Sequence, residues 1–284
     1  MEQNIKTQYA LNSQVIKKIC LTILLFIIAI AALIPFIYMI SGSLKREIDI
    51  FKYPVEWIPS VFKNNYAEVW TGNYNFYLYY FNSIKVTLLS VIGILLTSSL
   101  AAYGFTKIQF KGRDLIFLLY LSTLMIPQQV IMVPRFILFK YLNINDTHYA
   151  LILPGIFTAF GVFLLRQFMV SIPNELCESA KIDGAGHLRI WLQIISPLTA
   201  SALVTLALIS SVWSWNDYEN PLIFLKTISL YTIPLGLISF VDETGKLYSL
   251  ILAASVSATL PLILLFLAGQ RFFIEGLTSG AVKG

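Results

Sequence analysis

The stretch Ile19-Cys-Leu-Thr-Ile-Leu-Leu-Phe-Ile-Ile-Ala-Ile-Ala-Ala-Leu-Ile-Pro-Phe-Ile-Tyr-Met-Ile40 runs for 22 residues without a charged side chain. About 20 mostly apolar residues are what an α-helix needs to cross the hydrocarbon core of a bilayer. Lys17 and Lys18 give the stretch a basic flank, but it is longer than the apolar segment of about 7–15 residues in a cleaved signal peptide. It therefore reads as a retained membrane helix. The rest of the chain agrees with it. Of 284 residues, 57% are hydrophobic and 12% charged, and mean hydropathy is +0.74. Soluble domains run at roughly 45–50% and about 25%, and a water-soluble fold of this size cannot hide so much apolar surface beneath so few polar groups. The same figures exclude intrinsic disorder. Cys20 and Cys177 lie too far apart for a disulfide framework or a zinc site.

Five further charge-poor stretches are long enough to span: residues 86–105, 115–134, 147–165, 190–216 and 247–270. In the fifth span overall, Pro197 places the start near Leu198. The expected architecture is an all-α integral membrane protein with six transmembrane helices. A seventh stretch, residues 227–241, holds 15 residues with Pro234 and Gly236; it is too short to cross and suits an interfacial or re-entrant element. Six spans put both termini on one side. That side collects eleven basic and six acidic residues, the other side nine of each. The short turn from Lys107 to Arg113 is the kind of loop that obeys the positive-inside rule, so both termini are expected in the cytoplasm. The net charge of +5 then reflects topology and contact with anionic lipid headgroups, with no nucleic-acid footprint.

Two outer segments are long, residues 41–85 and 217–246. The first is rich in aromatics, Trp57, Tyr66, Trp70 and Tyr74 among them, which suits an interfacial anchor or a docking surface for an external partner. Catalytic and cofactor signatures are missing. There is no P-loop and no His-Glu-x-x-His or Cys-x-x-Cys. His148 and His187 fall on opposite sides of the membrane in this topology. No carboxylate or histidine lies deep in a span, as an intramembrane hydrolase or many proton-coupled carriers would require. The expectation is a non-enzyme without cofactor or metal, whose energy comes from a partner subunit.

Residues 171–197, between the fourth and fifth spans, carry the most information. Pro173 suits a helix's first turn, and Glu175 complements the macrodipole there. Leu176, Ala180 and Asp183 follow at helical spacing, and Gly184 suits the left-handed residue that ends a helix. A second helical pattern sets Leu188, Trp191 or Leu192, and Ile195 on one face up to Pro197. Two short helices around a glycine corner make a compact knob that could enter a groove on another protein.

Glu178-Ser-Ala180, Gly184 six positions after the glutamate, Ile194 sixteen after it and Pro197 nineteen after it resemble the EAA motif of permease subunits in bacterial ABC importers. Asp183-Gly184-Ala185 matches the fuller pattern, while Ser179 and Ser196 depart from it. Met132-Val-Pro-Arg135, Asn145-Asp-Thr147, Trp215-Asn-Asp-Tyr218 and the ending Gly280-Ala-Val-Lys-Gly284 are similar to carbohydrate importers of the maltose-permease type, over roughly residues 85–284. The resemblance implies that Glu178, Ala180, Asp183 and Gly184 dock on a cytoplasmic ATPase, with Ile194 and Pro197 bracing the loop against the fifth span. It implies, as partners, a second permease subunit forming a heterodimer, two copies of a cytoplasmic ABC ATPase, and an extracellular or periplasmic binding protein, the substrate being a sugar. The location it implies is the bacterial plasma (inner) membrane. The chain then divides into a cytoplasmic N-terminus (1–18), a first helix with its outer loop (19–82), a five-helix permease core (83–270) and a cytoplasmic tail (271–284). The tail could make a second contact with the ATPase pair.

For the solute path, Trp213, Trp215, Asn216, Asp217 and Tyr218, with Glu219, combine flat aromatic faces and hydrogen-bonding groups at the outer end of the fifth span, a mixture suited to sugars. Pro127, Pro134, Pro154 and Gly155 either break helices around a cavity or kink packed helices whose freed carbonyls find new partners. A permease for another solute, such as glycerol phosphate or a peptide, and a secondary carrier are the alternatives.

Overall fold

The computed structural model describes the backbone of residues 2–242 and 245–281, with side chains described for residues 15–241, 245 and 247–271. Regular structure is almost entirely helical. The one strand pairing among the described residues is a two-residue antiparallel ladder, Val241–Asp242 against Gly245–Lys246. Four helices are long and apolar enough to cross a membrane, or up to six if each of two bent helix pairs counts as one span. The chain folds as two compact units.

The first unit comprises residues 1–69 and 241–257. Its helix α1 (Glu2–Ser43) is continuous from well before the apolar stretch. None of that stretch is buried by the rest of the chain, as expected where lipid is the solvent. The loop after α1 is tied by side-chain bonds to backbone. Asn65 Nδ2 donates to the carbonyls of Ser43 (2.9 Å) and Lys45 (2.8 Å), and the Ser43 and Tyr66 hydroxyls pair at 2.7 Å. Glu47 accepts from the amides of Tyr248 and Ser249 at 2.9 and 2.8 Å, a carboxylate capping the positive end of the last helix.

The second unit comprises residues 70–240 and 258–284 and is organised on α3 (Phe76–Lys107), 32 residues without a break. Helix α2 (Asn65–Thr71) precedes it. Helices in lipid gain little from hydrophobic contact and associate by close packing of small residues. Accordingly α3 buries Ser90, Ser98, Ser99 and Ala102 where it meets α7 (Ala159–Val170) and α11 (Ala200–Trp215). A Cβ on Gly161 would stand 2.4 Å from Ser98 Oγ, so only glycine fits that crossing.

Three other spans are interrupted. Residues 115–134, read from the sequence as one span broken or kinked at its prolines, form α4 (Arg113–Ser122), a 3₁₀ turn and α5 (Gln128–Tyr141), bent by 97°. Pro127 sits at the bend, lacking an amide to continue the helix and disfavouring helical geometry before it. Helix α6 (Tyr149–Gly155) stops after Pro154, and α7 starts at Ala159. The freed Ile156 carbonyl accepts a hydrogen bond from Thr97 Oγ1 on α3; at this break the carbonyl is satisfied by a neighbouring helix. Residues 171–215 give α8 (Glu175–Ile182), α9 (His187–Ile190), a π-helical turn (Trp191–Ile195), α10 (Ser196–Leu198) and then α11, with a bend of 81° between His187–Leu198 and α11.

Helices α12 (Glu219–Phe224) and α13 (Ile233–Gly236), with 3₁₀ turns at 228–230 and 237–240, fill the segment after α11. This includes the short seventh stretch, which folds as turns laid on α3, α5 and α6 around Val86, Phe139, Leu151, Phe224 and Leu235. The last helix, α14 (Tyr248–Ala281), continues past Gln270. Side chains of the expected tail from residue 272 on, and residues 282–284 altogether, lie outside the described residues.

Candidate functional site

At the end of the second unit where α3 finishes, residues 171–197 form the expected knob. Helix α8 ends in a Schellman corner: the Gly184 amide donates to the Lys181 carbonyl (3.0 Å) and the Ala185 amide to the Ala180 carbonyl (2.9 Å). Gly184 has φ +81°, the left-handed region that a side chain disfavours. One face of the knob is buried. Cys177, Ile190 and Ile195 pack with Tyr103, Leu165 and Met169, and Ala180, Ala185 and Ile194 lean on the same core.

The opposite face is bare. Glu178, Asp183 and Gly184 are exposed beside Ile182 and Leu188, which are 87% and 73% exposed. Apolar side chains rimmed by charge outside a membrane span are the composition of a docking surface. The second helix departs from the sequence reading in part: Ile195 is buried and Trp191 packs on the core, as read, but Leu188 and Leu192 do not. Leu188 and Leu192 are exposed while Ile190 and Ile195 are buried, because the π turn places residues five apart on one face. Pro197 is exposed at the bend, and only Ile194 of the two expected braces touches the core.

Two side chains that sequence reasoning passed over, Tyr103 and Lys107, hold the knob in place, and a third, Arg166, braces the helices beside it. Tyr103 Oη and His187 Nδ1 lie 3.0 Å apart, their rings edge to face. Lys107 Nζ donates to Asn174 Oδ1 (3.0 Å) and to the Ile172 carbonyl. Arg166 lies over the Phe117 ring at 4.2 Å and reaches Asp114 at 3.4 Å, tying α7 to α4. The one signal for these in the sequence is a basic or aromatic residue at a span end.

At the far end of the unit, the five residues expected on a solute path part company. Positions 213 and 215 lie on opposite sides of a helix. Trp215 is 6% exposed, its Nε1 donating to the Ala258 carbonyl at 3.0 Å and its ring edge-on to Tyr80; it is a packing residue. Trp213 is 56% exposed, beside Phe160. Asn216 and Tyr218 are exposed, Asn216 bonded back to the Val212 carbonyl. Asp217 is half-buried and accepts from Asn220 Nδ2 at 2.8 Å and the Asn220 amide at 3.2 Å. Burial pushes its carboxyl above the usual range, against those bonds and the nearby Arg135 charge.

Arg135 donates to Asn220 Oδ1 and lies 5.0 Å from the Phe224 ring centre. It belongs to the Met132-Val-Pro-Arg135 match, yet its distance from the Trp215 segment in the chain hid the pairing. A cavity of about 250 Å³ also opens at this end, lined by Lys85, Leu89, Asp146, His148 and neighbours, and by none of the expected five. Among the described residues no group of three His, Cys, Asp or Glu is arranged to hold a metal.

Residues 93–278 match the family model described as "Binding-protein-dependent transport system inner membrane component". The arabinooligosaccharides transport system permease protein AraQ of Bacillus subtilis (strain 168) is 34% identical over 94% of this chain and 96% of its own. The melibiose/raffinose/stachyose import permease protein MelC of the same organism is 35% identical over 93% and 96%. The trehalose/maltose transport system permease protein MalG of Thermococcus litoralis is 32% identical over 96% and 100%. Among solved structures, a chain of a bacterial ABC transporter involved in the import of the acidic polysaccharide alginate superimposes with a TM-score of 0.82 at 25% identity, covering 92% of this chain and 98% of that one. With the family model covering both the knob and the far-end cluster, the chain belongs to the binding-protein-dependent transport system inner membrane components, the permeases of ABC importers.

Proposed function

We propose that this chain is the pathway-forming permease subunit of an ATP-driven importer for a di- or oligosaccharide. The observation that carries the substrate class is near full-length similarity to three permeases named for di- or oligosaccharide transport. As a family member it is a transport component and not an enzyme. Glu178, Ala180, Asp183 and Gly184 form the docking element for a separate ATPase on the cytoplasmic side, with both termini on that side. The bare face of the knob supports this: Ile182 and Leu188 need a protein to cover them. A second permease subunit completes the pathway, two ATPase copies drive it, and a binding protein delivers the sugar. Trp213, Asn216 and Tyr218 offer the exposed aromatic and amide groups that fit a sugar's apolar face and hydroxyl rim; Trp215 supports them from behind.

Uptake of labelled mono-, di- and oligosaccharides, glycerol phosphate and a peptide, in cells lacking only this chain, tests the reading. Loss of one saccharide class, restored by the intact gene, is the expected result. Loss of glycerol phosphate or peptide uptake instead would overturn the sugar assignment and leave the permease reading in place.

A further inference from the structure

We infer that α3 is the connecting rod of this subunit, carrying displacement of the knob to the far-end segment 229–239, with Tyr103, His187 and Asn82 as positioning residues. The inference rests on the coupling reading of the knob given above. Of the spans wholly within the second unit, α3 alone is a single uninterrupted helix. The α4–α5 pair bends by 97°, the helix leading into α11 by 81°, and the α6–α7 span, though counted as one, is interrupted at residues 156–158. A broken span can absorb a push by changing its angle at the break, whereas a continuous helix passes the push on. At 1.5 Å per residue, α3 reaches roughly 48 Å.

Both ends of the rod grip what they would have to move. At the knob, Tyr103 holds His187 after the glycine corner, and Lys107 holds Asn174 before α8, so the docking helix is gripped on either side. At the far end, Asn82 Nδ2 donates to the carbonyls of Ser229 (2.8 Å) and Tyr231 (3.0 Å). One residue along, Ser83 Oγ accepts from the Ile233 amide at 2.8 Å, and one turn back the Tyr79 hydroxyl pairs with Ser239 Oγ at 3.0 Å. Gly236 lies flat against the Tyr79 ring, where a Cβ would stand 2.2 Å from Cδ2. The polar side chains at the two ends of α3 thus bond backbone or side chains of the very segments that lack a continuous helix of their own.

The test uses the assembled importer, with its partner permease, ATPase and binding protein, in proteoliposomes. Solute uptake per ATP hydrolysed is measured for Tyr103→Phe, His187→Leu, their double variant, His187→Asn and Asn82→Leu, with a spin label at Ile238 reporting the far end. Expected is ATP hydrolysis within about twofold of normal with uptake per ATP reduced by about tenfold, the scale of one lost hydrogen bond. The double variant should lose no more than either single one, since both remove the same bond. His187→Asn keeps an acceptor near the Nδ1 position and should restore the ratio. The label's response to ATP should vanish in Tyr103→Phe and Asn82→Leu. Normal uptake per ATP in Tyr103→Phe, which removes a single oxygen, would overturn the inference even where Asn82→Leu fails to assemble. Gly184→Val separates the two levels: if it too transports normally the coupling reading itself falls, whereas if it uncouples while Tyr103→Phe is normal only the rod is lost.

Discussion

Replacing Gly184 by asparagine, alanine and valine in turn isolates what the left-handed corner contributes. A Cβ added there meets nothing within 4 Å, so the substitutions add no clash inside the subunit and act through the backbone. An L-residue in the left-handed region costs roughly 1–2 kcal/mol; asparagine tolerates it best, and a β-branched residue least. The corner is held by two amide bonds, Gly184 to Lys181 and Ala185 to Ala180, each contributing about 0.5–1.5 kcal/mol net. Strain of that size rivals the bonds, and each 1.4 kcal/mol shifts the intact-corner population about tenfold. Membrane insertion, set by the spans, should be untouched. In reconstituted transporter, uptake per ATP should fall in the order glycine, asparagine, alanine, valine, with valine lowest by about tenfold or more. Equal loss in all three variants would refute the reasoning, because it would mean that a Cβ collides with a partner surface rather than opening the corner. Normal uptake in the valine variant would remove Gly184 from the mechanism altogether.

Asp146, itself at φ +57°, accepts from the Thr227 hydroxyl (2.6 Å), the Lys226 amide (2.8 Å) and the Thr227 amide (2.9 Å). The Thr227 hydroxyl first, then the two amides, hold its carboxyl below the usual range. Its contribution is therefore complete above the ordinary carboxylate pKa and is lost as pH falls through the lowered folded value. Exchange at the Lys226 and Thr227 amides, corrected for the intrinsic rate, should accelerate on acidification and at all pH values in Asp146→Ala; unchanged protection in that variant would sink the assignment. Gly161→Val should lower thermal stability by about 1–3 kcal/mol or block assembly, since its Cβ meets Ser98 Oγ at 2.4 Å and Thr158 Cγ2 at 2.9 Å; an unchanged melting temperature in detergent would count against the α3–α7 packing. Trp215→Ala should cost about 3–5 kcal/mol, while Trp213→Ala should leave stability within about 0.5 kcal/mol and change only uptake. Equal destabilisation by the two would contradict their opposite placement.

The spans were legible because each rests on composition within about 20 residues, and hydropathy averages over side-chain detail. Gly184 was legible for a similar reason, since a helix that must stop in a left-handed residue calls for glycine at one position. The breaks were only half legible. Pro127 and Pro154 mark the positions, but not a 97° bend at one and a gap bridged by Thr97 at the other. The knob's second helix was half misread because a 3.6-residue period was laid over a π turn, in which Ile190 and Ile195, five apart, share the buried face while Leu188 and Leu192 do not. At the far end, residue type suggested a common role for Trp213 and Trp215 that helix geometry does not allow.

Local sequence thus settled that the chain lives in a membrane, that it is helical, and where its glycine corner turns, since those properties follow from side-chain transfer energies and backbone preferences over a few turns. The grips on that corner and on the far-end segment came only with the fold. Tyr103 meets His187 across 84 positions, Lys107 meets Asn174 across 67 and Arg135 meets Asn220 across 85. No pattern within a helical turn encodes such pairs, because they form only when whole helices have packed against one another and bring the polar groups at their ends together.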